Sequence, residues 1–174
     1  MTRRFAFLDR DGTLIEDRGY AHALADYAPL PGAYEAVQAL RAAGFGTAIV
    51  TNQSGIGRGR FDEADFARFQ AQLLADFAAH GAALDASYHC PHAPNAGCDC
   101  RKPRPGLLLR AQRELGVDLA RSWVIGDKES DVELAHAAGC AAVLIGVPGA
   151  PRADGVAVAP DVLAAARLVL AEAR

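Results

Sequence analysis

Short apolar runs that stop abruptly at a polar residue recur along this chain, with helix-length amphipathic stretches between them. Phe5-Ala6-Phe7-Leu8 stops at Asp9, Thr47-Ala48-Ile49-Val50 at Thr51, and Trp123-Val124-Ile125 at Gly126-Asp127. These runs do not alternate apolar with polar residues, as a strand with one wet face does. Near-continuous strands separated by helices predict an α/β fold: a parallel sheet covered on both faces, a Rossmann-like three-layer sandwich. Leu84 to His89 and Ala141 to Ile145 supply further strands. The predicted helices are Gly32–Ala43, Asp62–Ala79, Pro105–Leu115, Ser130–Ala138 and Asp161–Ala173. In the second of these, Phe66, Phe69, Leu73 and Phe77 recur at helical spacing behind Asp62 as N-cap.

The 174 residues fit one domain spanning 1–174. With 51% hydrophobic and 22% charged residues, the chain is neither disordered nor fibrous. No run approaches the ~18 apolar residues of a membrane helix. The first residues lack the pattern of a signal peptide, so the chain reads as cytoplasmic, with no membrane partner. A net charge of −3 argues against nucleic acid as partner. No long exposed apolar face stands out, and a monomer is expected.

Ligands of open parallel sheets bind beyond the carboxyl ends of the strands. The residues there are Asp9, Asp11, Thr51, Asn52, Asp127 and Asp131, so acids from separate chain regions converge on one edge. A lone Asp-x-Asp equally well caps a turn. Several carboxylates together need a counter-charge, and Mg2+ with oxygen ligands fits while leaving room for a phosphate.

DRDGT (9–13), TNQSG (51–55), Lys102 before a proline-rich helix start and GDKESD (126–131) together resemble the four motifs of the haloacid dehalogenase (HAD) phosphatases, in order and over most of the chain. The resemblance implies a nucleophile at Asp9, a general acid/base at Asp11, a phosphoryl contact from Thr51 and charge neutralisation by Lys102. It implies Mg2+ on Asp9, Asp127 and the backbone of Asp11, with Lys128 as a backbone contact and Asp131 in support. No insertion is long enough for a large cap domain.

Three of four cysteines fall close together in Cys90-Pro-His92, then Cys98-Asp-Cys100. Cys90, His92, Cys98 and Cys100 suit a tetrahedral Zn2+ on a loop at 90–100, structural because no coordination position stays open. Disulfides are the rival reading; three clustered thiols would leave one over, and the compartment disfavours them. His89 is an alternative ligand, but neighbours on a strand point to opposite sides. Cys140 reads as core.

The zinc loop narrows the resemblance to two groups, the heptose 1,7-bisphosphate 7-phosphatases and the histidinol-phosphate phosphatases. The segment 17–27, the sequence after TNQ and RKPRPG (101–106) lean towards the heptose group, and hence towards nucleotide-heptose precursor synthesis. Histidinol phosphate stays the alternative. A small phosphorylated sugar would then meet Gly12, Thr13, Asp17, Arg18, Gly19 and Tyr20. Asn52, Gln53 and Ser54 would bond sugar hydroxyls, and Arg101 the distal phosphate, with Arg58, Arg60 and Arg18 weaker candidates. A cleft that binds without turnover is the competing class; no motif residue is missing to favour it. Of 18 basic residues only Lys102 and Lys128 are lysine, and both fall in these motifs.

Overall fold

The computed structural model describes residues 3–147, 152 and 154–173. Among them six strands form one parallel sheet: β1 (Phe5–Leu8), β2 (Gly46–Asn52), β3 (Ala86–Cys90), β4 (Trp123–Gly126), β5 (Ala141–Ile145) and β6 (Ala157–Ala159). Their spatial order is β3-β2-β1-β4-β5-β6. The helices are α1 (Ala33–Ala42), α2 (Ser54–Gly57), α3 (Glu63–Ala79), α4 (Gly106–Leu115), α5 (Glu129–Ala138) and α6 (Val162–Glu172).

Strand pleating divides the core. Ala6 and Leu8 face a cluster with Val37 and Leu40 of α1, Phe69, Leu73 and Phe77 of α3, and Val169 of α6. Phe5 and Phe7 face the other side, with Leu107 and Leu108 of α4 and Val132 and Leu134 of α5. The two-sided burial read from the sequence is thus present, and the layers run α/β/α.

Four helices start one residue later than expected because the first expected residue is the cap, and α5 starts one residue earlier, at Glu129. Asp62 accepts the amide of Asp65 at 2.8 Å, and Asp161 accepts that of Ala164 at 2.7 Å. Such caps satisfy amides the helix cannot. The edge strand β6, helix α2 and the 3-10 turns Leu24–Asp26 and Leu119–Arg121 carry too few residues to show a period, and the sequence pattern misses them. Only that first 3-10 turn lies between β1 and α1, and only α2 between β2 and α3, so the cap is minimal as expected. No helix among the described residues is long and apolar enough to cross a membrane.

β1 has β2 on one side and β4 on the other, so the winding of the chain reverses there. Leu8 pairs with Ile125, and the Asp9 amide donates to the Ile125 carbonyl at 2.9 Å. The crevice at the ends of β1 and β4 is therefore built around Asp9 and Asp127.

Candidate active site

Asp9 is only 4% exposed. Its Oδ1 accepts the Arg10 amide at 2.8 Å and lies 2.9 Å from Lys102 Nζ. That ammonium also reaches Asp131 Oδ1 at 2.6 Å and the Val50 carbonyl at 2.9 Å. A lysine has three donors, and all three are matched. Burial, the largest influence, opposes the charge on Lys102, but Asp9 and Asp131 outweigh it and raise its pKa. The lysine stays a cation beside the predicted nucleophile.

Asp9, Asp127 and Asp131 each offer a carboxylate oxygen within 4.8 Å of the others. Asp127 Oδ1 is buried without a hydrogen-bond partner. Burial, with Asp9 and Asp131 nearby, pushes the Asp127 carboxyl up to about 6 against the pull of Lys128. An orphaned oxygen in a crowded acidic group is what a hard divalent cation satisfies, so these residues fit Mg2+. Gly12 turns at φ +83°, and a Cβ on it would overlap the Asp127 carboxylate.

Lys128 was expected as a backbone contact of the metal. Its carbonyl accepts the Asp131 amide at 2.9 Å as α5 begins. Its ammonium reaches Asp17 Oδ2 at 3.2 Å and stands 4.0 Å from Asp127 Oδ1. Its side chain is a rim cation, while its carbonyl sits at the start of α5.

Asp11 is held by two side chains. Arg10 bonds both of its oxygens, Nε to Oδ2 at 2.9 Å and Nη2 to Oδ1 at 3.1 Å. Gln53 Nε2 donates to Oδ2 at 3.0 Å and to Thr51 Oγ1 at 2.8 Å. Arg10 is 1% exposed and packs over Phe66 and Phe69. In the sequence it stands only as the residue between two acids. The available signal was an arginine directly after a fully apolar strand, where burial demands a partner.

Asn52 and Gln53, expected to meet sugar hydroxyls, also bond groups of the protein itself. Asn52 Oδ1 accepts the Lys102 amide at 3.0 Å, and its Nδ2 donates to the Lys102 carbonyl at 3.2 Å. Both still line a cavity of about 200 Å³ with Asp11, Asp17, Gly19, Tyr20, Ser54 and Lys128. Burial raises the Asp17 pKa, but the Gly19 amide and Lys128 outweigh it, so Asp17 is an anion on this rim. Gly12 and Thr13, expected as substrate contacts, line a neighbouring cavity with Leu30 and Ile145. Both also build the turn: Gly12 N donates to the Ile15 carbonyl at 2.8 Å, and Arg10 O accepts the amides of Thr13, Leu14 and Ile15. Arg18 turns away to Glu16 at 2.8 Å. Arg101 is half-buried, with Nη1 unpartnered and outside the cavity wall. Arg60 lies over the Tyr20 ring at 4.6 Å.

The sulfur cluster is compact. Cys90 Sγ lies 3.6 Å from Cys98 Sγ and 3.5 Å from His92 Nδ1, and His92 Nδ1 lies 3.2 Å from Cys100 Sγ. Zinc bonds of about 2.3 Å to sulfur and about 2.0 Å to nitrogen at tetrahedral angles span edges of roughly 3.5–3.8 Å. The four residues fit Zn2+. All four cysteines are free, and Cys140 is buried as expected. His89 turns to Glu63 at 3.0 Å and stacks on Phe66, outside the cluster. The loop docks on the cavity wall: Gln53 N donates to the Cys90 carbonyl and Gly57 N to that of Pro91, both at 2.8 Å.

A family model described as HAD-hydrolase-like matches residues 99–168. A D-glycero-beta-D-manno-heptose-1,7-bisphosphate 7-phosphatase of Pseudomonas aeruginosa is 38% identical over 98% of this chain and 99% of its own length. One from Photorhabdus laumondii is 46% identical over 74% of this chain and 72% of its own. A solved structure, D,D-heptose 1.7-bisphosphate phosphatase from B. bronchiseptica complexed with magnesium and phosphate, superimposes with a TM-score of 0.86 at 34% identity. It covers 97% of this chain and 99% of that one.

Proposed function

The chain belongs to the family of D-glycero-beta-D-manno-heptose-1,7-bisphosphate 7-phosphatases, and on that premise we propose how its residues carry out the hydrolysis. The family membership favours the heptose bisphosphate over histidinol phosphate as substrate.

Asp9 attacks phosphorus while the bond from phosphorus to the sugar oxygen breaks. Asp11 gives its proton to the departing alkoxide. In the second half, Asp11 takes a proton from water, which attacks the aspartyl phosphate, releases phosphate and frees Asp9. Lys102 neutralises the charge shared between Asp9 and the phosphoryl oxygens, and Thr51 Oγ1 stands ready as a further donor. Mg2+, held by Asp9, Asp127 and the Asp11 carbonyl, would supply electrostatic stabilisation of the phosphoryl group. Zn2+ on Cys90, His92, Cys98 and Cys100 would fix the loop that delivers Arg101 and Lys102. Arg101, directly before Lys102 on that loop, is assigned to the distal phosphate, which its guanidinium can bond in bidentate fashion. Asp17, Tyr20 and Ser54 line the cavity for the sugar.

The observation that carries this reading is the Lys102 ammonium held between Asp9 and Asp131 beside the unbonded Asp127 oxygen. Phosphoryl transfer needs positioning and neutralised charge, and this group supplies both. The test is phosphate release with Mg2+ from both anomers of heptose 1,7-bisphosphate and from histidinol phosphate. Fast release from one heptose anomer, abolished in Asp9→Asn, is expected. Equal, slow release from all three would overturn the substrate, and release by Asp9→Asn at the normal rate would overturn the nucleophile.

A further inference from the structure

Arg10 is the most buried charged side chain of the described core, and nothing in the chemistry above uses it. Its donors converge on three parts of the site. Nε and Nη2 grip the Asp11 carboxylate, and Nη2 also reaches Gln53 Oε1 at 3.0 Å and the Ala21 carbonyl at 2.9 Å. Ala21 directly follows Gly19 and Tyr20, which line the cavity. One guanidinium therefore ties the cavity loop, the TNQ turn and the predicted acid together. The planar fork suits a carboxylate in a way a lysine cannot, and Phe66 and Phe69 hold its plane.

We infer that Arg10 is a positioning residue that selects which oxygen of Asp11 exchanges the proton, and that this oxygen is Oδ1. A carboxylate has about four lone-pair positions, two per oxygen. Oδ2 receives Arg10 Nε and Gln53 Nε2, which fills both of its positions. Oδ1 receives only Arg10 Nη2, whose two hydrogens are shared with Gln53 Oε1 and the Ala21 carbonyl, and keeps one open. The open position belongs to a side chain that lines the cavity, so the proton given to the leaving alkoxide, as its bond to phosphorus breaks and the Asp9–phosphorus bond forms, leaves from Oδ1. Ala21 couples this choice to the loop that surrounds the sugar.

The inference rests on Asp11 as the acid of the proposed reaction, and its test separates the two. Proton donation matters for a sugar alkoxide and little for 4-nitrophenolate, a good leaving group. In Arg10→Met, kcat/KM for heptose bisphosphate should fall on the order of 100-fold, the usual contribution of a placed acid, while kcat/KM for 4-nitrophenyl phosphate falls less than about tenfold. Arg10→Lys keeps the charge without the fork and should recover only part of the loss. Gln53→Met, which empties one position on Oδ2, should show the same asymmetry at smaller size. If Arg10→Met fails to fold by circular dichroism, Gln53→Met decides alone. Equal losses on both substrates in folded variants would overturn the positioning role, as would full activity in Arg10→Met. Wild-type protein that releases no phosphate from the heptose bisphosphate would instead sink the reaction itself.

Discussion

Asn52 holds both main-chain polar groups of Lys102, accepting its amide at 3.0 Å and donating to its carbonyl at 3.2 Å. Asn52 ends β2 opposite Cys90, so the strand that presents Thr51 also fixes the loop that carries the lysine. Each such bond contributes about 1 kcal/mol. Asn52→Ala should therefore cost about 2 kcal/mol and lower the melting temperature by roughly 4–8 °C for a chain of this size. Turnover should fall more than KM rises, because the displaced group acts on the phosphoryl transfer. Thermal melting and steady-state kinetics check both, and an unchanged melting temperature would remove the clamp from the account.

Lys102 has three matched acceptors and 4% exposure, which leaves no room for a planar fork. Lys102→Arg keeps the charge, yet the wider group would displace Asp9 or the phosphate. It is expected to lose most activity while staying folded. Lys102→Met leaves Asp9 and Asp131 buried without compensation, a loss of about 3–5 kcal/mol. Phosphate release and denaturant unfolding of the two variants distinguish chemistry from folding. In a chain that writes every basic residue but this one and Lys128 as arginine, this is a place where arginine does not serve.

The Asp127 carboxyl titrates near 6, raised chiefly by burial. A raised carboxyl binds its proton more tightly in the folded state, so metal-free stability should decline as pH rises from about 4 through 6. A cation must displace that proton, and Mg2+ affinity should weaken as pH falls below about 6. Melting curves with and without Mg2+ should converge near pH 5 and separate above pH 6. A pH-independent gap between them would contradict the assigned site.

Much of this was legible because parallel strands are apolar on both faces and place their next residue at the site. Asp9, Thr51 and Asp127 could be placed from that rule alone, and the zinc ligands from their own spacing. Three-residue β6 and four-residue α2 fall below the length at which a period shows. Side-chain direction was the larger loss. Asn52 and Gln53 are polar residues at a strand end, a position equally suited to a ligand or to the protein's own groups, and their bonds to the Lys102 backbone and to Arg10 show only once the fold is known. Arg10 was hidden by its place between two acids, since a spacer and a clamp look alike until burial is known.

Burial pushes the Cys90 thiol up to about 12, so without a metal it is protonated at neutral pH. Zinc binding would deprotonate it, and the protons released should be measurable by calorimetry in two buffers of different ionisation enthalpy. About one zinc per chain is expected by metal analysis, four protein ligands closing one tetrahedral site. The cluster lies next to the cavity wall through the Gln53 and Gly57 amides and two residues before Lys102. Zinc removal should therefore lower the melting temperature and turnover together, and Cys98→Ser should do the same even with Mg2+ in excess. His89→Ala, which touches Glu63 and Phe66 outside the cluster, should keep its zinc. A folded, fully active protein without zinc would refute the site, and loss of zinc in His89→Ala would reassign its fourth ligand.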